Sequence, residues 1–395
     1  MLGSLGALIA PYTEEYFLKQ LLGHSALYIK GPPGRFASLY SWEDLNRIMR
    51  NGGMSFPRIR LISGELELPS VGYVRLGSNG HPQWLVGPIN AALRDGATLV
   101  VDSVERLHEP VYEFCLGLEQ VFGVPLQADL YASWRDGPAR ELQWNDHEAI
   151  VLHLHGTKGW RVSNPTAFCP SIKAPPQKPV GAPAWAGDLE AGDLLYIPRG
   201  WWYADSSFGQ PALYLVVTFK NPTGLDIMHR LVETLSMLDF MRMDIPRFSG
   251  ASVRSSYLRL IQLEIVRAMA TPGLVLGVQR EMQERTDART YFSFPLIGDD
   301  AGFGPLDNHS AFPLVHFPAN HVLRRVERED ATEIAISGQV SRLSQEAVWV
   351  LEQLSDQSGR TVRSLREAYS SQFGTDIAPT LSELLRCGAI SLRIV

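Results

Sequence analysis

Two segments rich in glycine and aromatic residues place the tightest constraint on the fold of this 395-residue chain. The first extends from Leu130 to Trp160, and an apolar run from Ile150 to Leu154 leads into its closing Gly156-Thr-Lys158-Gly-Trp160. The second, from Gly192 to Tyr203, reads GDLLYIPRGWWY. Short apolar runs bounded by Gly and Pro are typical of buried strands. Both segments therefore predict strands of a β-domain.

These segments resemble the two signatures of the JmjC-type cupins of the ribosomal-oxygenase kind, which hydroxylate protein side chains with Fe(II) and 2-oxoglutarate. The first signature starts with His-x-Asp, where this chain has Gln143-Trp-Asn145, and it ends with Gly-x-Lys/Arg-x-Trp. The second is Gly-Asp-x-Leu-Tyr-x-Pro-Arg-Gly-aromatic-aromatic-His; it is matched from Gly192 to Trp202 and ends here in Tyr203. The resemblance runs from about residue 12 to residue 222. It implies a mainly β fold with added helices, the JmjC/cupin double-stranded β-helix or jelly roll.

The three positions that the resemblance assigns to iron carry Gln143, Asn145 and Tyr203. Two imidazoles and a carboxylate hold Fe(II) in such a triad and leave sites open for co-substrate and oxygen. Two amides and a phenol supply no charge at neutral pH, because an unperturbed tyrosine has a pKa of about 10. We therefore expect no metal at the triad and no bound cofactor that depends on it.

Three histidines leave a shifted metal site open as an alternative. His147, His153 and His155 follow the triad positions closely, and residues two apart on a strand share one face. The other interpretation is that they form the polar face of a strand whose Ile150, Leu152 and Leu154 face the core.

Lys158 stands where the resemblance implies a cation that binds the distal carboxylate of 2-oxoglutarate. Its presence leaves 2-oxoglutarate or another small anion open as a ligand. A surface lysine near a turn is the alternative, since Gly156 and Gly159 flank it. Tyr131 and Tyr214 are placed by the resemblance on strands that line the same cavity.

Composition narrows the classes of partner. The net charge of −6 gives no drive toward nucleic acid or an anionic membrane. No apolar run approaches the ~20 residues that span a bilayer, and the N-terminus lacks the basic region of a signal peptide. Three widely spaced cysteines support neither a disulfide framework nor a zinc motif, so we expect a cytoplasmic protein.

Local patterns predict the elements around the barrel. Thr13 caps a helix that extends to Leu22, and Ser41 to Asp44 has the form of a capping box. Strands are predicted at 58–67 and 98–101, and a helix is predicted at 110–122. Residues 164–186 are predicted to form an irregular loop.

The sequence as a whole predicts three domains. They are the cupin domain (1–222), a helical region (223–315) and a winged-helix-like domain (316–395). Helical periodicity occupies 226–243 and 252–270, and the resemblance favours a homodimer through these helices. A cover packed on the same subunit is the alternative.

The C-terminal domain is predicted to have a hairpin at 322–326 and 333–337, helices at 343–354, 362–373 and 377–387, and a last strand at 389–395. This pattern equally resembles leader-peptide-binding domains of peptide natural-product pathways. Residues 322–395 contain nine Arg and no Lys against ten Asp and Glu, a net charge of −1. Nucleic-acid modules usually carry a positive stripe, so a protein or peptide contact is expected instead.

The sequence thus predicts a pseudo-oxygenase that binds a protein or peptide partner without iron-dependent hydroxylation. A metalloenzyme that modifies peptides, with the shifted histidine site, is the alternative.

Overall fold

The computed structural model divides the chain into two compact units, Met1–Asn221 and Pro222–Val395. The residues that it describes are 4–50, 57–64, 66–78, 80–135, 141–167, 169–171, 173, 175–270, 274, 277–278, 314–315, 323–326, 331–336, 339–354 and 360–392. The finer division of the second part into two domains stays a prediction.

The first unit contains two large antiparallel sheets, a separate two-stranded sheet and several helices. Its described helices are α1 (Leu5–Ile9), α2 (Glu14–Tyr16), which a π-helix (Phe17–Leu21) continues, α3 (Trp42–Arg50), α4 (Val86–Arg94) and α5 (Glu109–Phe122). Its described strands are β1 (Leu27–Ile29), β2 (Ile59–Ser63), β3 (Leu66–Glu67), β4 (Val74–Leu76), β5 (Pro82–Trp84), β6 (Thr98–Val101), β7 (Leu126–Ser133), β8 (Gln143–Trp144), β9 (Glu148–His155), β10 (Thr157–Ser163), β11 (Trp185–Glu190), β12 (Leu194–Ile197), β13 (Trp202–Ser207) and β14 (Ala212–Phe219).

The sheet order explains how the two signature segments come together. The larger sheet has the order β1-β12-β9-β14-β7-β6-β2-β3, and the smaller has the order β11-β10-β13-β8. The first signature supplies β8, β9 and β10, and the second supplies β12 and the start of β13. Both signatures therefore contribute to both sheets, and the predicted jelly-roll class is confirmed.

Strand β9 shows where the two hydrophobic cores lie. Ile150, Leu152 and Leu154 belong to the core between the larger sheet and the N-terminal helices. Ala149 and Val151 belong to a second core with residues of the smaller sheet. Because side chains alternate along a strand, β9 is buried on both faces. The prediction that Ile150, Leu152 and Leu154 face the core is confirmed, but the opposite face is interior and not solvated.

The predicted helix caps are confirmed. Thr13 Oγ1 accepts a hydrogen bond from Tyr16 N at 3.2 Å. Asp44 Oδ2 accepts from Ser41 N at 2.9 Å while Ser41 Oγ accepts from Asp44 N at 3.2 Å, which completes a reciprocal capping box.

The single strand predicted over 58–67 is wrong. The segment is a hairpin in which Ile62 pairs with Glu67 and Ser63 with Leu66. Gly64 has a φ of 60°, in the left-handed region that glycine adopts at little cost. The alternation of residue types continues through this reversal, so periodicity alone misses it.

The second unit contains helices α6 (Gly224–Ser236), α7 (Asp239–Arg242), α8 (Ala251–Met269), α9 (Gln345–Leu354), α10 (Val362–Phe373) and α11 (Ala378–Arg386) among its described residues. Its described strands are β15 (Leu314–Val315), β16 (Leu323–Val326), β17 (Ala331–Ile336), β18 (Gln339–Leu343) and β19 (Ser391–Leu392). The predicted hairpin β16–β17 and the three predicted helices are present, although a winged-helix arrangement stays a prediction. In the last predicted strand, 393–395 lie outside the described residues.

Leu343 was predicted to begin a helix, which is wrong, because it ends the additional strand β18. Ser344 follows it, and its Oγ accepts from Ala347 N at 3.1 Å, so helix α9 begins after this cap. Within the described part of the chain, no helix has the length and apolarity that crossing a bilayer requires.

Candidate functional site

Several residues of the second signature support the fold and are not placed to bind a ligand. These residues, among them Asp193 and Tyr196, are called the frame of the barrel below. Asp193 is 1% exposed, and its carboxylate accepts hydrogen bonds from Gly31 N at 2.9 Å, Glu190 N at 3.0 Å and Tyr28 Oη at 3.1 Å. These bonds tie β12 to β1 and to the end of β11. The Asp of the signature is therefore explained by the fold alone.

Tyr196 of the same signature has a comparable role. Its Oη donates to Glu148 Oε2 at 2.6 Å and accepts from Gly23 N at 2.7 Å. Burial, followed by the charge of Glu148, raises the pKa of the Tyr196 phenol, so it stays protonated. Glu148 also accepts from Arg199 N at 3.2 Å, which joins the two signatures.

Two glycines of the signatures sit where no side chain fits. A Cβ on Gly156, whose φ is 76°, would lie 2.0 Å from the carbonyl oxygen of Pro211. A Cβ on Gly192, whose φ is 101°, would lie 2.1 Å from the carbonyl oxygen of Pro32. Their presence reports close backbone approach.

The structure brings the three replaced iron-ligand positions together where β8 ends and β13 begins, and Gln143, Asn145 and Tyr203 are called the mouth of the barrel below. Gln143 on β8 is the register partner of Tyr203 on β13. Asn145 directly follows β8, and its Nδ2 donates to Tyr203 Oη at 2.9 Å. All three residues are partly buried.

These three side chains do not fit an Fe(II) triad. Their oxygen atoms are neutral, and the Asn145 amide donates to the phenol oxygen that would have to serve as a ligand. Asp146 is the next carboxylate along the chain, but its Oδ2 lies 2.6 Å from Lys220 Nζ. The hydrogen bond from Lys220 is the main cause of the lowered pKa of Asp146, so this carboxylate is a charged partner of Lys220.

The three histidines are not gathered into the shifted metal site. His153 Nε2 donates to Gly156 O at 3.0 Å, and its ring lies 6.1 Å from that of Tyr214. His155 instead lies 6.3 Å from Trp42, and His147, at the opposite end of β9, contacts Asp146. Among the described residues, no group of three or more His, Cys, Asp or Glu side chains is placed to hold a metal ion.

His153 is a buried neutral imidazole. Desolvation is the main cause that lowers its pKa to about 4. It therefore carries no charge at neutral pH.

Lys158 is buried, so the interpretation as a surface lysine is wrong. It is 1% exposed, and its Nζ lies 2.5 Å from Asp205 Oδ2 on β13. Nζ also lies 3.5 Å from Tyr214 Oη and 5.0 Å from the centroid of the Tyr214 ring. The ammonium thus faces a carboxylate that the protein itself supplies.

Asp205 is a site residue that sequence reasoning missed. The signature ends at Tyr203, two residues earlier. Because side chains on a strand repeat every two residues, Asp205 lies on the same inner face as Tyr203. That period was the available signal.

Aromatic rings connect the mouth with the lysine. Tyr203 lies 6.2 Å from Trp160, which packs edge-on against Tyr214 at 5.8 Å. Tyr131 stacks on Tyr214 at 5.1 Å. The predicted cavity residues Tyr131 and Tyr214 do lie together on the inner face, in contact with each other.

The comparisons with known proteins concern mainly the first unit. Residues 99–227 match the JmjC domain family. Ribosomal oxygenase 1 of Gallus gallus is 31% identical over 237 residues, which are 57% of this chain and 38% of that protein. The bifunctional lysine-specific demethylase and histidyl-hydroxylase NO66 of Dictyostelium discoideum is 24% identical over 239 residues, or 58% of this chain and 46% of that protein.

A solved structure resembles nearly the whole chain. YcfD, a ribosomal oxygenase from Escherichia coli in complex with cobalt and 2-oxoglutarate, has a TM-score of 0.61 and 15% identity, covering 97% of this chain and 99% of that one. At this identity the likeness shows the fold alone. The matched segment amounts to less than half the length of either curated relative.

Proposed function

This chain belongs to the JmjC cupin family of 2-oxoglutarate oxygenases, and we propose that it is a pseudo-oxygenase. In this proposal it binds a protein or peptide partner at the barrel mouth and does not perform iron-dependent hydroxylation. The observation that carries the proposal is the neutral set Gln143, Asn145 and Tyr203, in which Asn145 and Tyr203 are hydrogen-bonded to each other.

Coordination chemistry connects this observation with the loss of activity. When bound, Fe(II) in this family supplies the redox chemistry for hydroxylation. Removing water from a divalent ion costs more than neutral amide and phenol oxygens return without a carboxylate and imidazoles. The three side chains instead leave donors and acceptors at a rim where a peptide backbone has the matching groups.

A fixed segment beside the mouth supports the binding role. Trp202 Nε1 donates to Thr166 Oγ1 at 3.1 Å, and Thr166 Oγ1 donates to Gln177 O at 2.6 Å. The predicted irregular loop is thereby tied to β13 and borders the mouth with its own groups.

The names of the relatives favour a protein partner. Ribosomal oxygenase and histidyl-hydroxylase both point to proteins as the molecules on which those relatives act. A ribosomal protein is therefore the first partner to test here. Cys115, Cys169 and Cys387 form no disulfide, which fits the proposed cytoplasmic setting.

Restoring the family's ligands tests the loss of iron. Fe or Mn content is measured in the wild type and in the triple variant Gln143→His, Asn145→Asp, Tyr203→His, both purified without chelators. We expect stoichiometric metal only in the variant. Oxygen uptake by the wild type that is coupled to 2-oxoglutarate turnover, and that is abolished by Gln143→Ala with Tyr203→Phe, would contradict the proposal.

Sedimentation with purified ribosomal subunits tests the partner. We expect the full chain to co-sediment, and Gln143→Arg at the mouth to weaken this binding at least tenfold. Val71→Arg, at a position that is 84% exposed, is the matched control and should bind as the wild type does. Equal effects of the two substitutions would argue against binding through the mouth.

We also propose a homodimer through the helical region of the second unit. No residue of α8 is buried. Its apolar side chains Leu258, Leu263 and Val266 are 58%, 44% and 63% exposed. Exposed apolar faces of this kind usually mark an interface. Light scattering should give twice the monomer mass, reduced to one mass by Leu263→Glu with Val266→Glu. The exposed polar pair Ser255→Glu with Ser256→Glu should remain dimeric, and a monomeric wild type would contradict the dimer.

A further inference from the structure

We infer that Asp205 is an internal counter-ion of Lys158. It occupies the place where the family binds a carboxylate of its co-substrate, so Lys158 does not bind 2-oxoglutarate. The inference deepens the proposed function, since it concerns the same barrel, but it has an observation of its own. The buried pair joins β10 to β13 at 2.5 Å and is more fully buried than the three triad residues.

The register of β10 and β13 produces this pair. Trp160 is opposite Asp205, and Lys158 is opposite Ser207. Lys158 and Asp205 are therefore diagonal neighbours on one face, within reach of a long side chain. Their side chains are 2% and 3% exposed, so solvent screens the pair very little.

The enclosure of Lys158 leaves an incoming dicarboxylate little to gain. Tyr214 covers the ammonium on a second side, with its ring 5.0 Å away. A ligand carboxylate that took Lys158 would leave Asp205 buried without its cation. Such a loss shifts an equilibrium constant by roughly a hundredfold or more. A ligand that shared Lys158 with Asp205 would bring two like charges close together in a poorly screened interior, which is also unfavourable.

A carboxylate from the chain thus occupies the place that the family gives to a carboxylate of its co-substrate. The residues present do not fit 2-oxoglutarate, although the lysine of the signature is retained. In the interior, Lys158 and Asp205 compensate each other's charge. Loss of either partner alone would leave a buried charge, which is more harmful than loss of both.

Binding of succinate and of 2-oxoglutarate to the metal-free full chain tests the inference, with isothermal titration and ligand-observed NMR as the readouts. The wild type should show no binding at millimolar ligand. Asp205→Asn retains the side-chain shape without the charge, and we expect it to bind succinate at least thirtyfold more tightly than the wild type. Lys158→Met combined with Asp205→Asn should abolish the gain, and Asp188→Asn on β11 should leave the wild-type result unchanged.

Two outcomes would overturn the inference. One is wild-type binding of either dicarboxylate that Lys158→Met with Asp205→Leu, an apolar replacement of the pair, removes. The other is a folded Asp205→Asn variant, as judged by circular dichroism, that binds neither ligand. A wild type that holds iron but not dicarboxylate would contradict the proposed function and leave this inference intact.

Discussion

The frame of the barrel and its mouth contain polar residues of similar kinds, yet the two regions relate to the fold in opposite ways. Asp193 in the frame is buried and accepts three hydrogen bonds from neighbouring segments. Asn145 at the mouth is partly buried, and its side chain is bonded to one partner that is itself at a replaced position. The residues of a signature that support the fold can therefore be retained while the residues at its ligand positions change.

The largest effect that separates these regions should come from Gly156→Ala. A Cβ at Gly156 would meet the carbonyl oxygen of Pro211 at 2.0 Å, so the connection between β9 and β10 would have to move. We expect a loss of about 4 kcal/mol or a failure to fold. Gly34→Ala is the matched control, since Gly34 has a φ of 83° and open space around it, and should cost about 1 kcal/mol. Urea denaturation measures both, and equal losses would mean that strain in φ, and not the clash, decides.

Removing the frame carboxylate should come next. Asp193→Ala leaves the amides of Gly31 and Glu190 and the hydroxyl of Tyr28 without their acceptor, so we expect a loss of about 3 kcal/mol. Asn145→Ala should cost less than about 1 kcal/mol, because its side chain is partly exposed to water. A loss at Asn145 as large as that at Asp193 would show that Asn145 supports the fold as strongly as Asp193 does.

The buried imidazole of His153 should make the free energy of unfolding depend on pH. Its pKa of about 4 in the folded chain lies below the ordinary value of about 6.5, so the unfolded chain binds more protons between these values. The stability from the neutral imidazole is fully present above pH ~6.5 and is lost as pH falls toward ~4, by up to about 3 kcal/mol. His153→Gln should flatten the dependence of the unfolding free energy on pH, and His147→Gln should retain it. An unchanged slope in His153→Gln would assign the dependence to other groups.

A matched pair of tyrosines gives the smallest difference. Tyr196→Phe removes a buried hydroxyl that bonds Glu148 and Gly23, and we expect a loss of about 2 kcal/mol. Tyr203→Phe removes only a partly buried hydroxyl at the mouth and should cost less than about 1 kcal/mol. Thermal unfolding measures the difference, and the reverse order would contradict the division between frame and mouth.

Much of the barrel could be predicted because its signatures are local. Gly192, Asp193 and Tyr196 lie within five consecutive positions, and each has a structural role that depends on its own residue type. The three replaced positions could likewise be predicted to lie together, because each has a defined place in one of the two signatures.

Other features of the site could not be predicted from the sequence, and the reasons are physical. The burial of Lys158 depends on the register of β10 with β13, which residue types do not specify. Its pairing with Asp205 joins positions 47 apart in sequence, one of them outside both signatures. The sequence predicts that His153 and His155 share one face of β9, but His153 contacts Tyr214 while His155 lies beside Trp42 at the strand end.

The absence of formal charge on Gln143, Asn145 and Tyr203 has a consequence for how a partner is selected. Attraction between charged surfaces weakens as ions are added, whereas contacts made by amides, a phenol and aromatic rings respond little to added ions. An encounter through these groups gains its selectivity from fit and hydrogen-bond direction. The complex would then hold almost as well in concentrated salt as in dilute buffer.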